Sequence, residues 1–262
     1  MHSPDALAAA LAEIARKAGR VLAGFHPLRP RPVLKGDQSP VTEADRASEA
    51  LILEEVARAF PALPVISEEN PRSHGVQGGD EFLLVDPLDG TRAFIAGTAD
   101  FCVCIALIRR GIPAAGVLHA PLGDETWWGA SELWSARGAL SQARRLPPRP
   151  VRPPGEKPVA LASHFHGNAE TDDILARCGA SRIIRMSSAL KFVKLLTGEA
   201  DLYPRRTRTM QWDIAAGDAL LRAAGGGLLD DQGRLLTYGR TAEGWVAPPF
   251  MAYGVLPASG SG

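Results

Sequence analysis

The chain has 262 residues, 45% of them apolar, with Lys+Arg and Asp+Glu balanced at 29 each. This length allows one large or two fused domains around a substantial core. The zero formal charge argues against a protein that coats nucleic acid, while leaving room for a local basic pocket. The apolar stretch at residues 6–12 ends at Glu13, far short of the roughly 20 apolar residues that a membrane span needs. No basic region followed by an apolar run opens the chain, and Cys102, Cys104 and Cys178 make no disulfide framework. The expectation is a cytoplasmic globular protein, with peripheral association at the inner membrane left open.

Alanine, leucine and isoleucine recur on a helical period over residues 5–24, which predicts an amphipathic helix. Residues 26–41 hold four prolines and read as a loop. A second helix is expected over residues 42–60, opened by Thr42 and Asp45 in a capping-box spacing and stopped by Pro61 and Pro64. Strand signals follow at residues 65–67, 82–85, 101–109, 112–119 and 125–136. Six of the 21 prolines fall in residues 147–158, the best candidate for an interdomain connection. Beyond it, strands are expected at 158–163, 181–186, 200–203, 227–229 and 250–255, and helices at 169–178, 188–198 and 212–224. The tail from Ala258 reads as disordered. Two helices ahead of several adjacent strands indicate layered α+β structure rather than strict βαβ alternation. The division expected is residues 1–146, a connection at 147–157, and residues 158–262.

The most informative stretch is Asp86-Pro-Leu-Asp-Gly-Thr91, at the end of a predicted strand. Proline and glycine turn the backbone, so Asp86, Asp89 and the Leu88 carbonyl can converge on one point, and hard oxygen donors of this kind suit Mg²⁺. An acidic surface turn is the plain alternative. Glu68-Glu69 after one strand, Asp45 in the first turn of one helix and Asp213 in the first turn of another read singly as solvated or capping acids. Taken together, acids at strand ends and helix starts fit a metal site, because unpaired carboxylates seldom gather without a cation.

Four blocks carry a resemblance: Ser39-Pro-Val-Thr-Glu-Ala-Asp45, Ile66-Ser-Glu-Glu69, Asp86-Pro-Leu-Asp-Gly-Thr91 and Trp212-Asp-Ile-Ala-Ala-Gly217. In this order they resemble the Mg²⁺-dependent, lithium-sensitive phosphatase superfamily, which contains the inositol monophosphatases and fructose-1,6-bisphosphatases. Leu34-Lys-Gly-Asp-Gln-Ser-Pro-Val-Thr42, Ser187-Ser-Ala-Leu-Lys-Phe192 and Leu202-Tyr-Pro-Arg205 look like its bacterial 3'(2'),5'-bisphosphate nucleotidase branch, of CysQ type. The resemblance implies an αβαβα sandwich. It also implies hydrolysis of the 3'-phosphate of adenosine 3',5'-bisphosphate (PAP), a by-product of sulfate assimilation.

By the same similarity, Glu68, Asp86, Asp89, Asp213 and the Leu88 carbonyl hold Mg²⁺, two or three ions per site, about 3.5–4 Å apart as in two-metal phosphatases. Thr91, backed by Asp45 and helped by Glu68, orients and deprotonates a water that attacks phosphorus directly. Substrate contacts are expected from Gly90, Thr91, Ser187, Ser188, Lys191, Arg205 and Asp213, with the serines at a helix start suited to phosphate. Lys35 resembles a family lysine near the metal loop. Arg206 and Arg208 read as solvated loop charge. The partner implied is a small phosphate ester and not a nucleic acid polymer; homodimers occur in the superfamily, and nothing in these residues specifies one. Two departures bear on substrate preference: Arg92-Ala93 stand where the branch often has Lys-Glu, and residues 205–211 are unusually basic. The rival readings are an inositol monophosphatase or another small phosphate-ester phosphatase, and a non-catalytic relative that binds a nucleotide or a protein.

Cys102 and Cys104 share a strand face and are read as small core residues rather than a metal pair. His164 and His166 lack further ligands at zinc spacing. Trp127 and Trp128 are read as strand packing.

Overall fold

Ser3 opens the first helix, α1 (Pro4–Phe25): its Oγ accepts from the Ala6 amide, and Pro4 occupies a first-turn position where no amide is required. The structure, a computed structural model, describes residues 3–26, 31–36, 40–153, 155–165 and 167–257. Asp37, Gln38 and Ser39 of the Leu34–Thr42 block, His166 and the tail from Ala258 lie outside them. The expected loop contains one short antiparallel pair, β1 (Val33–Leu34) with β2 (Pro40–Val41). Thr42 then caps α2 (Glu43–Ala59) with the predicted capping box, in which Asp45 accepts from the Thr42 amide at 2.8 Å.

Seven strands form the first sheet: β3 (Val65–Ser67), β4 (Glu81–Asp89), β5 (Cys102–Arg109), β6 (Ile112–Ala120), β7 (Glu125–Gly129), β8 (Leu133–Arg137) and β9 (Arg144–Arg145). They lie in sequence order, β3 parallel to β4 and the rest antiparallel. The single run expected over residues 125–136 is two strands, turned at residues 130–132. A short helix that propensity did not signal, α3 (Thr91–Ile95), follows β4. The second sheet has the order β11-β10-β12-β14-β13, built from β10 (Val159–Ser163), β11 (Arg182–Met186), β12 (Leu202–Arg205), β13 (Gly227–Leu229) and β14 (Phe250–Tyr253). Its helices are α4 (Ala169–Arg177), α5 (Leu190–Thr197) and α6 (Gln211–Ala223).

The pleat of β5 shows how the layers arise. Cys102, Cys104, Ala106 and Ile108 face one core with Phe192, Trp212, Ala216 and Leu220 of α5 and α6. Val103, Ile105 and Leu107 face another, with Leu11 and Ala15 of α1 and Ile52 of α2. Period-two alternation of small and large apolar residues thus sends one strand into two cores. A third, smaller core joins Ala160, Ala162 and Leu202 of the second sheet to Leu175 of α4. The layers run α1/α2, first sheet, α5/α6, second sheet, α4: the αβαβα order.

The central helix α6 is wedged tightly. A Cβ at Gly116 of β6 would lie 2.3 Å from the Ala216 carbonyl oxygen, and one at Gly217 would lie 2.1 Å from the Phe192 ring. Both positions need glycine for space. On β6, His119 is 1% exposed and its Nδ1 lies 2.9 Å from Thr126 Oγ1. Burial holds its pKa down at about 4, with the Arg16 and Arg20 charges adding to the effect. The proline-rich segment is strapped to the second sheet's side: Arg149 donates to Leu195 O (2.6 Å) and Asp201 Oδ1 (2.9 Å), and Arg152 to Asp201 Oδ2 (2.7 Å). Among the described residues no helix is long and apolar enough to cross a membrane.

Candidate active site

Three elements converge at the middle of the first sheet. Glu68 follows β3, and its amide still donates to Val85 O at 3.1 Å, which keeps it beside the end of β4. Asp86 and Asp89 close β4, where pairing with β5 is irregular: Asp86 stands opposite Cys104, and Asp89 opposite Cys102. Three steps on β4 match two on β5, so the strand bulges by one residue. In an unbroken strand, residues three apart face opposite ways. The bulge returns Asp86 and Asp89 to one face, and it does so inside the strand rather than in a turn after it.

Asp213 arrives from the first turn of α6. Its Oδ2 accepts from Thr209 Oγ1 (2.7 Å) and from the Met210 amide (2.9 Å). It is therefore a helix cap and a site carboxylate at once, since a carboxylate has two oxygens to share. Glu68, Asp86 and Asp213 each offer an oxygen within 4.8 Å of the others. Asp86 Oδ1 accepts from the Leu88 amide (3.0 Å), and Lys35 pairs with Glu68 (2.7 Å) and with Glu69.

Burial is the main cause of high proton affinity here. It pushes Glu68 up to about 8, against the pull of Lys35 and with repulsion from Asp213 and Glu69 added. It pushes Asp89 up to about 7, again with Asp213 repelling. Asp86, repelled by Glu68, Asp89 and Asp213, is raised well above the carboxylate range; Asp213 is raised despite its capping bonds. A convergent set of hard oxygen donors that resist ionising together fits a hard divalent cation, whose charge would remove the repulsion. Asp89 stands outside that trio; the group of three it joins at the same spacing is with Cys102 and Cys104.

Asp45 bridges cap and site. Its Oδ2 accepts from the Thr42 amide and hydroxyl, and its Oδ1 accepts from Thr91 Oγ1 at 3.2 Å. Thr91 Oγ1 also lies 3.2 Å from Leu88 O. Burial raises the pKa of Asp45. Thr91 starts α3 just after Gly90, which has φ +96°; a Cβ at Gly90 would sit 2.7 Å from Asp100 O and 3.1 Å from Ser188 Cβ. The two halves of the chain meet at that point.

A cavity of about 270 Å³ opens over these groups. Glu68, Asp86, Leu88, Asp89, Gly90, Thr91, Ser187, Ser188, Lys191, Arg205 and Asp213 all line it, so eleven of the twelve expected site residues share one space, and Asp45 stands behind Thr91. The start of α5 differs from expectation. Ser188 takes a left-handed backbone (φ +50°), so the helix begins two residues late. The amides there are already engaged: Ser187 N donates to Asp100 (2.7 Å) and Ala189 N to Asp89. The serine hydroxyls, rather than free helix amides, are what this corner offers a ligand.

Lys191 is 5% exposed, donates to Ser188 O, and sits 5.3 Å from the Tyr203 ring centroid. Arg205 donates to Arg208 O (3.2 Å), while its buried Nε has no protein partner among the described residues. Arg206 turns away to pair with Glu170 and Asp231. Arg208 is exposed and lines the cavity, so it is not simply solvated loop charge. His164 packs edge-on to Phe165; of these two, Phe165 lines the cavity.

Sequence reasoning missed Phe165 and Tyr203 in the lining, and flagged Arg92, which also lines it, only as a departure bearing on substrate preference. It also missed a buried brace in which Glu49 accepts from Ser67 Oγ, His74 Nε2 lies 2.8 Å from Ser67 O, and the His74 ring stacks on Trp212 at 4.9 Å. No local pattern signals the Glu49–Ser67 and His74–Trp212 contacts, because both are long-range.

The profile of the inositol monophosphatase family matches residues 3–256. The 3'(2'),5'-bisphosphate nucleotidase CysQ of Escherichia coli K12 is 36% identical over 241 residues, covering 91% of this chain and 96% of that protein. CysQ of Salmonella typhimurium is 38% identical over 218 residues, covering 82% and 86%. The crystal structure of CysQ from Bacteroides thetaiotaomicron superposes with a TM-score of 0.80 at 28% identity, covering 95% and 97% of the two chains. An inositol monophosphatase from Thermotoga maritima superposes at 0.73 and 25% identity, covering 94% and 91%.

Proposed function

The chain belongs to the inositol monophosphatase family, and from that premise we propose that it is a cytoplasmic 3'(2'),5'-bisphosphate nucleotidase that removes the 3'-phosphate of PAP to leave AMP. One observation carries this reading. The carboxylate cluster and four cationic side chains, Arg92, Lys191, Arg205 and Arg208, line the same cavity. A monophosphate needs only the metal-bearing part; the cations suit a second phosphate. Phe165 supplies an apolar wall for a base.

Glu68, Asp86, Asp213, Asp89 and the Leu88 carbonyl are the donors for Mg²⁺, two or three ions when the site is filled. Bound there, the metal supplies charge that neutralises the phosphoryl oxygens and acidifies water. Thr91 has one hydroxyl proton and two acceptors, Asp45 and Leu88 O. Were the Leu88 carbonyl to hold a cation, Asp45 would be the acceptor left for that proton. The Thr91 oxygen then accepts from the attacking water and passes the proton toward Asp45, whose raised pKa makes it the better base. Water oxygen forms the new bond to phosphorus, the bond to the ribose 3'-oxygen breaks, and that oxygen takes a proton from solvent. On this reading the Gly90 and Thr91 amides and the Ser187 and Ser188 hydroxyls, all on residues that line the cavity, hold phosphate oxygens. On this reading residues 1–146 bring most of the metal donors, residues 158–262 bring the substrate contacts and Asp213, and residues 147–157 join them.

The test is phosphate release from PAP, inositol 1-phosphate and fructose 1,6-bisphosphate, each with Mg²⁺ and with EDTA. Mg²⁺-dependent preference for PAP is expected. Preference for inositol 1-phosphate would overturn the assignment of the second phosphate while keeping the metal chemistry.

A further inference from the structure

Behind Asp89, on the same face of the first sheet, lie two cysteines that the hydrolytic chemistry does not use. Cys102 and Cys104 are both fully buried, and their sulfurs are 3.7 Å apart. Cys102 Sγ lies 3.9 Å from Asp89 Oδ2, and the three residues offer ligand atoms all within 4.8 Å of one another.

Tetrahedral coordination at a Zn–S distance of about 2.3 Å puts two sulfurs about 3.8 Å apart. A sulfur and a carboxylate oxygen at about 2.1 Å from the same ion stand about 3.6 Å apart. The sulfur–sulfur spacing meets the first figure, the Cys102–Asp89 spacing exceeds the second by a few tenths of an ångström, and the Cys104–Asp89 spacing, within 4.8 Å, closes further when an ion draws the carboxylate in. The strand fixes them: positions two apart on β5 present both thiols to one side, and the bulge in β4 sets Asp89 directly opposite Cys102. Soft sulfur ligands do not favour Mg²⁺, so this trio selects a different class of ion from the oxygen cluster of Glu68, Asp86 and Asp213. Asp89 also lines the cavity, which gives an ion a way in.

We propose that Asp89, Cys102 and Cys104 form a second metal site, for a thiophilic divalent cation of the Zn²⁺ class, and that filling it silences the phosphatase by committing Asp89 to that ion and so withholding it from Mg²⁺. Coordination forms two metal–sulfur bonds and one metal–oxygen bond, and the two thiol protons leave to solvent. The inhibitory half rests on the hydrolase reading above; the binding half does not.

The experiment has two readouts. Co²⁺ is titrated into metal-stripped protein under reducing conditions, following the thiolate-to-cobalt charge-transfer band. The band is expected in the wild type and in Cys178→Ser, with one ion per chain, and is lost in the pair Cys102→Ser/Cys104→Ser. The pair Cys102→Ala/Cys104→Ala, matched by circular dichroism, guards against a folding defect in the serine pair. Absence of the band in the wild type, or its survival in both double variants, would overturn the site. Zn²⁺ inhibition of PAP hydrolysis in excess Mg²⁺ is then compared; the double variants should need at least tenfold more Zn²⁺. Equal sensitivity would place inhibition at the oxygen cluster and refute the silencing role. A wild type that binds Co²⁺ with the band but hydrolyses no phosphate ester would sink the hydrolase reading and leave the site standing.

Discussion

His119 offers a stability prediction whose size follows from its surroundings. It is buried on β6 against the α1 face, with one ring nitrogen on Thr126, and its pKa is held at about 4 against an ordinary value of 6.5. A depressed folded pKa means that the unfolded chain takes the proton first as pH falls. The stability contribution is therefore complete above about pH 6.5 and is lost as pH drops toward about 4. The whole gap corresponds to about 3.4 kcal/mol, and about 2 kcal/mol of it should disappear between pH 7 and pH 5. The site carboxylates bias the pH dependence the other way, since their raised pKa values let the folded state hold protons longer. The comparison that isolates His119 is wild type against His119→Gln, which keeps a hydrogen-bonding group for Thr126. Urea unfolding is followed by circular dichroism at several pH values, with Mg²⁺ fixed. The wild type should lose about 2 kcal/mol more than the variant over that interval. Parallel pH profiles would show that the buried ring does not bear the protonation cost argued here.

Asp213→Asn should behave in opposite ways in two assays. Without metal the variant should melt at or above the wild-type temperature, because one repelling charge is gone while an amide oxygen can still cap α6; with Mg²⁺ the wild type should gain about 2–3 kcal/mol at saturating metal and the variant almost none. Its phosphate release should fall by orders of magnitude. Thr91→Val should lower kcat by about 10²–10⁴ with little change in KM, as expected for loss of proton transfer, and Thr91→Ser should recover most of it. Arg205→Ala should raise KM for PAP at least tenfold and leave inositol 1-phosphate hydrolysis nearly unchanged, read in a phosphate-release assay. Gly217→Ala should cost about 1–3 kcal/mol in thermal or urea unfolding, since its methyl meets the Phe192 ring.

Much of the fold could be read from local signals, and the reason is visible in β5. Its alternation of small and large apolar residues is written directly in the sequence and specifies a strand with a core on each side. The capping box at Thr42 and Asp45 was legible for the same reason, because its bonds close within three residues. Asp213 shows the limit of that approach. A first-turn acid reads as a cap, and it is one; that the same carboxylate also faces Glu68 and Asp86 depends on where α6 packs. The bulge between Asp86 and Asp89 was legible only as a turn, since its effect is defined by register against β5. Ser188 resisted reading altogether: nothing in Ser187-Ser-Ala189 announces a left-handed residue, and it arises where Gly90 and Asp100 press from the other sheet. The four motif blocks found the site because each carries its own chemistry, whereas Phe165, Tyr203 and His74 serve through contacts across the chain.

The fit of α6 has a consequence for how the site could be tuned. The helix bearing Asp213 is gripped between Gly116 of the sheet and the Phe192 ring of α5, at distances where one added methyl has nowhere to go. Two absent side chains therefore act as a gauge: they set the separation of Asp213 from Glu68 and Asp86 without belonging to the site. Enlarging either position acts as a shim, displacing one carboxylate relative to the other two while leaving every ligand residue unsubstituted. Metal affinity in this fold is in that sense machined into its interior clearances, and a substitution in the core can change it as surely as one among the acids.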